Sequence, residues 1–155
     1  MAPPDIKADA RRVFAVIKAG GTALLPADVG YFLVGGNPAS MEKIFTTKKR
    51  GAHKRHPTIG TFEQEQALHI LDPQEAEIVR TLTQDFGLPL GIVAKYRPGH
   101  PLIKSMGEEQ LEATSAEGTF HMALNSGAFA NELVRLAAGE DFVLSCSSAN
   151  PTGTG

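Results

Sequence analysis

The chain has 155 residues, 42% of them hydrophobic and 21% charged, and its 15 Lys and Arg against 17 Asp and Glu leave a net charge of −2. That balance describes one globular domain able to build a core without staples, and argues against a generally basic protein that coats a nucleic acid duplex. A single cysteine excludes a disulfide framework and points to a reducing, cytoplasmic setting; no apolar run approaches the ~18 residues of a membrane span, and MAPPDIKADARR has no apolar signal region.

From Asp5 to Ala19 the apolar residues Ile6, Val13, Phe14, Val16 and Ile17 recur at helical spacing, ahead of Gly20 and Gly21. Thr22 to Leu25 reads as a short strand ended by Pro26, and ADVGYFLVGGNP as a loop, or a loop with a brief strand. Asn37 and Pro38 look like an N-cap and first helical residue. The helix they start runs through Met41, Ile44 and Phe45 and delivers Lys48, Lys49 and Arg50 at its C-terminal end, where cations suit the macrodipole.

His56 to Phe62 predicts a strand and Glu63 to Ile70 a helical turn or loop. Asp72, Pro73 and Glu75 form a strong helix start, with Gly87 as the stop. Leu90 to Tyr96 is the next strand, RPGH a turn, and Pro101 to Gly118 a polar segment with one short helix around Glu108 to Ala113. TFHMAL (Thr119 to Leu124) alternates as a strand, Ala128 to Ala138 is a helix closed by Gly139, and Phe142 to Cys146 is the last strand, with Cys146 read as a core residue. Strands alternating with helices imply an α/β or α+β sheet with helices packed on it.

Seven of the nine residues from Lys48 to His56 (KKRGAHKRH) are Lys, Arg or His. Their five Lys and Arg leave 10 against 17 acidic residues elsewhere, so the positive charge is local. Such a run is either a solvated face or an anion site, and a Lys and an Arg two apart can clamp a polyphosphate. Lys54 and Arg55 either extend that clamp or stay solvated. His53 and His56 sit among cations that would repel a metal ion, so they read as a solvated loop and no metal site is expected. His69, His100 and His121 show no ligand spacing and read as surface or core histidines.

Gly20 and Gly21, the loop PADVGYFL from Pro26 to Leu33, the Lys48 and Arg50 pair, Pro57 and SSANPTG come in an order that resembles the YrdC/YciO family of threonylcarbamoyl-adenylate synthases. The resemblance implies a single domain over residues 1–155 with a YrdC-like twisted mixed sheet. Family domains usually run on past the SSAN motif, which implies that this chain lacks the C-terminal strands. It further implies binding of ATP, with Mg²⁺ on its phosphates, and reaction with threonine and bicarbonate to give the adenylate used in tRNA threonylcarbamoyladenosine modification. By position, Lys48 and Arg50 would hold the triphosphate, Ser148 and Asn150 the nucleotide, and Asp28, Tyr31 and Ser147 the amino-acid substrate. No protein nucleophile is needed, so no catalytic residue is assigned. The family's concave basic face is associated with RNA, and the charge from Lys48 to Arg55 permits such a contact.

Three departures set a second reading beside the first. Ala27 and Val29 stand where the family has loop threonines, PLGIV replaces a turn ending in Thr, and Ala123 stands where an arginine belongs. They fit a catalytically degenerate nucleotide- or RNA-binding module of the same fold.

Overall fold

A computed structural model describes residues 5–48 and 55–150. Expectations for Lys49 to Lys54, Arg50 among them, and for Pro151 to Gly155 lie outside the described residues. Helix α1 (Ile6–Lys18) begins where Asp5 accepts a hydrogen bond from the Ala8 N–H at 3.0 Å, and it buries Ala10, Phe14 and Ile17. Its last carbonyls are closed by Gly20, at φ 86°, and Gly21, whose N–H groups return to Ile17 and Val16 at 2.9 Å. A side chain at such a positive φ would be strained, which is why glycine ends the helix.

Strands β1 (Ala23–Ala27) and β2 (Gly30–Gly35) form a hairpin about Asp28 and Val29. This corrects the reading in which Pro26 ends the first strand; of the two readings of the stretch that follows, a loop or a loop with a brief strand, the strand is present as β2. Pro26 stays in the ladder opposite Tyr31 because β1 is the outermost strand, where a missing N–H can face away from the sheet. Helix α2 (Pro38–Lys48) starts with a reciprocal cap: Asn37 Oδ1 accepts the Ser40 N–H at 2.8 Å and Ser40 Oγ accepts the Asn37 N–H at 3.3 Å. The helix follows β2 closely because Gly35 has no side chain; a Cβ there would lie 2.3 Å from Ser40 Oγ.

The strand expected from His56 to Phe62 shrinks to β3 (Thr58–Ile59), because Thr61 and Gln64 form a capping box that opens α3 (Phe62–Leu68). The helix from Asp72 divides into α4 (Pro73–Arg80), with the expected Asp72 and Glu75 box, and a wider π-helical turn over Thr81–Asp85. There the Thr83 hydroxyl donates to the Val79 carbonyl at 2.7 Å. After β4 (Leu90–Lys95) comes α5 (Pro101–Ser105), which the polarity of this segment conceals; Pro101 occupies its first turn and His100 Nδ1 accepts the Leu102 N–H at 3.2 Å. Helix α6 (Glu108–Thr114), β5 (Ser115–Ala116), β6 (Thr119–Leu124), α7 (Ala128–Ala138) and β7 (Leu144–Ser148) complete the described chain.

The result is a single-domain α/β fold on a mixed seven-stranded sheet ordered β1-β2-β7-β3-β6-β4, with β5 also paired to β6. Only the β3–β6 pair is parallel among the described strands. One core packs Phe14 and Ile17 of α1 and Leu133 and Val134 of α7 on Leu25, Val34 and Leu144. The other packs Leu68, Val79, Leu102 and Met106 on Ile92, Phe120 and Met122. Strand pleating then turns His121 and Ala123 to the face opposite Phe120 and Met122.

Candidate functional site

Two depressions meet at the C-terminal end of β7, one of about 390 Å³ and one of about 500 Å³, and Val29 and Ser148 line both. The first runs over the sheet face and takes in Arg55, His121, Ala123, Ser126, Ser147 and Ser148 beside Phe32 and Leu90. The second lies along the β1–β2 hairpin, against Leu24, Tyr31 and Asn150. Antiparallel pairing sets Phe32 opposite Ser148, and the Ala149 N–H donates to the Tyr31 carbonyl at 2.8 Å. The hairpin and the SSAN segment thus form one rim.

Lys48 reaches this rim from the last residue of α2. Its Nζ donates to Ser147 Oγ at 3.0 Å, to the Ser148 carbonyl, and to Ser148 Oγ at 3.4 Å. A helix terminus and a strand terminus are thereby tied together by a cation at the mouth of the cleft. Lys48, Ser147 and Ser148 therefore converge, while Tyr31 and Asn150 share the adjoining depression. Asp28 does not line either one. Its N–H donates to the Ser126 carbonyl at 2.9 Å, and its carboxylate lies over Gly127, where a Cβ would come within 2.7 Å of Oδ1. Asp28 anchors the hairpin turn to the β6–α7 junction.

Two basic side chains acquire a different setting from the one their sequence suggests. His56 is buried, not solvated: its ring lies on Phe45 with centroids 3.7 Å apart, and its backbone N–H donates to the Ala113 carbonyl at 2.9 Å. His121 is neither a free surface residue nor a core one but faces the first cleft, and the alternation of TFHMAL carries the signal for it. Burial, helped by the nearby His69, pushes the His121 imidazole below its ordinary value of 6.5. His69 itself is a core residue, with Nε2 3.1 Å from the Phe120 carbonyl and Nδ1 3.4 Å from Glu65 Oε1. Cys146 is buried and forms part of the cleft wall and of the first core.

Among the described residues no three His, Cys, Asp or Glu side chains gather as metal ligands, and no carboxylate lines the first cleft. The described lining of the first cleft holds Arg55, His121 and several hydroxyls, with Lys48 bonded at its rim, and no carboxylate. No described helix is long and apolar enough to cross a membrane.

No family model matches the sequence, and no curated protein matches it. Solved structures do. A hypothetical protein from Streptococcus mutans UA159 superposes with a TM-score of 0.80 at 25% identity, over 90% of this chain and 56% of that one. P. abyssi Sua5, solved with L-threonine, gives 0.69 at 21% identity over 96% of this chain and 40% of its own. E. coli YciO gives 0.69 at 16% identity over 99% and 68%. The chain thus spans about half the length of the first two, and agreement of this extent at such low identity fixes the architecture. The chain therefore has a YrdC-like fold, the architecture of Sua5 and E. coli YciO.

Proposed function

We propose that the rim binds the phosphates of ATP through Lys48 and Arg50, with Ser148 and Asn150 contacting the nucleotide, and that the cleft makes an aminoacyl-carbamoyl adenylate for tRNA threonylcarbamoyladenosine modification. The observation that supports this most is the convergence of Lys48 Nζ on Ser147 and Ser148, at a cleft with no carboxylate among its described lining residues, in a fold shared with a protein solved with L-threonine. Threonine and bicarbonate would condense to a carbamate with loss of water. Its carboxylate oxygen would then attack the α-phosphorus of ATP, forming the mixed anhydride while the bond to pyrophosphate breaks. Such a displacement needs alignment and charge stabilisation on phosphate rather than a protein nucleophile.

Magnesium would enter on the nucleotide's phosphates, since the described residues supply no ligand set of their own. Tyr31 and Ser147 would contact the amino acid, and Asp28 would act at a distance by holding the hairpin turn on Ser126. The stretch from Lys48 to Arg55 would be the contact for RNA.

The second reading, a degenerate binding module, is favoured by Ala123 at the cleft floor and by Val29 on both depressions, where neither supplies a donor. Calorimetric titration with ATP and Mg²⁺, compared with the Lys48→Ala/Arg50→Ala double variant, separates these. ATP binding that disappears in the variant, with pyrophosphate released only when threonine and bicarbonate are present, supports the synthase. Binding without turnover supports the module, and no ATP binding by the unmodified chain sinks the synthase and the nucleotide-binding form of the module, leaving the basic stretch as a solvated face or an RNA contact.

A further inference from the structure

His121 is left unused by the nucleotide reading. It is half-buried in the cleft, and neither ring nitrogen has a hydrogen-bond partner among the described residues. A partly desolvated imidazole with an unfilled donor and acceptor is suited to a polar ligand. Across from it, β4 presents Val93 in register and Gly91 one pleat away; a Cβ on Gly91 would come within 3.1 Å of His121 Nε2, so the glycine keeps that nitrogen accessible.

The sheet register fixes where in the cleft this group lies. The Cys146 N–H donates to the Pro57 carbonyl at 2.8 Å, and parallel pairing of Thr58 with Met122 puts Pro57 level with His121. His121 is therefore two strand spacings, roughly 10 Å, from Cys146 and the Lys48 end. The charged groups around it are Arg55 in the cleft, Lys95 on the same face of β4, and His69 behind β6; no Asp or Glu is among the described lining residues. Such surroundings select an anion.

We propose that His121 is a specificity-determining contact for the carboxylate of a small-molecule acceptor, held at the end of the cleft away from Lys48. The proposal rests on reading this cleft as the acceptor side of the nucleotide site. Arg55 is a permanent cation, whereas His121 is mostly neutral at pH 7 and gains charge only in acid. Carboxylate binding and imidazole protonation therefore favour one another, and acceptor affinity rises as pH falls.

The test is NMR titration of histidine-labelled protein, free and saturated with L-threonine, with L-threoninol as the control that lacks the carboxylate. The His121 signal is identified by its loss in His121→Gln. Its midpoint is expected to rise with L-threonine and not with L-threoninol. Threonine affinity is expected to increase about tenfold from pH 8 to pH 5.5, to become flat in His121→Gln, and to stay high at both pH values in His121→Arg. A midpoint unmoved by L-threonine, or a pH dependence that survives His121→Gln, overturns the proposal. These titrations contain no ATP, so loss of ATP binding with an intact His121 response sinks the nucleotide reading alone, and the reverse result sinks this proposal alone.

Discussion

Lys48 and Ser147 are 99 residues apart in the chain and meet through a 3.0 Å hydrogen bond from Nζ to Oγ. The bond joins the end of α2 to the end of β7, so the ammonium is held at the cleft mouth, where the proposed phosphate site lies. Charge-assisted hydrogen bonds contribute about 1.5–3 kcal/mol each. Lys48→Met is expected to weaken ATP binding by about one to two decades by calorimetry. An unchanged affinity would remove Lys48 from the nucleotide site.

Ser147 is almost fully buried, and its hydroxyl accepts from Lys48. Ser147→Ala removes an acceptor while Ser148 still holds the ammonium. ATP affinity should fall by less than tenfold, within about the 1 kcal/mol of one hydrogen bond. A loss as large as that of Lys48→Met would show that Ser147 contacts the ligand itself.

Gly35 sits where β2 gives way to α2, and a Cβ would meet Ser40 Oγ at 2.3 Å. Gly35→Ala must push the helix start away from the sheet, at about 1–3 kcal/mol by urea unfolding. Because α2 carries Lys48 at its far end, ATP affinity should fall as well. Stability lost without any change in affinity would mean that the displacement is absorbed before Lys48.

The depressed value of His121 carries a sign. A histidine whose folded value lies below 6.5 opposes protonation of the folded state, so its contribution is complete above pH 6.5 and is lost as pH falls below it. Thermal unfolding should show a decline in stability below about pH 6.5 that is shallower in His121→Gln. Identical slopes in the two proteins would place the acid sensitivity elsewhere.

Thr61 and Asp72 each close a capping box, at α3 and α4. Replacing either by Ala should cost about 0.5–2 kcal/mol in urea unfolding. The Thr61 change should be the larger, because this cap is part-buried and turns the chain out of β3, whereas the Asp72 cap is exposed.

What the sequence reveals follows the range over which each feature is decided. Asp5, Asn37 with Pro38, and Asp72 with Glu75 are local signals, and each helix begins at them. Pro26 misleads because a proline is tolerated in a strand only at a sheet edge, and nothing near it in sequence says that β1 is outermost. Helix α5 escapes notice because its cap is a histidine, His100, in an otherwise polar segment. At the site, Lys48, Ser147 and Ser148 are legible as an ordered motif set and do meet in space. His56 and His121 are not, since whether an imidazole is stacked on Phe45 or turned into a cleft depends on strands brought in from elsewhere.

Strand β7 enters the sheet between β2 and β3 although it is the last described strand to be synthesised. Before Leu144 to Ser148 emerge, the β1–β2 hairpin and the β3–β6–β4 group share no strand, and a nascent chain holds two half-sheets with unpaired inner edges. Closing them requires contacts between residues distant in sequence, so this is the step expected to be slow in folding and to leave strand edges exposed longest. The same five residues supply the serines that receive Lys48. Architecture and the proposed binding site are therefore completed in one event, and a chain without β7 is expected to lack the serines that receive Lys48.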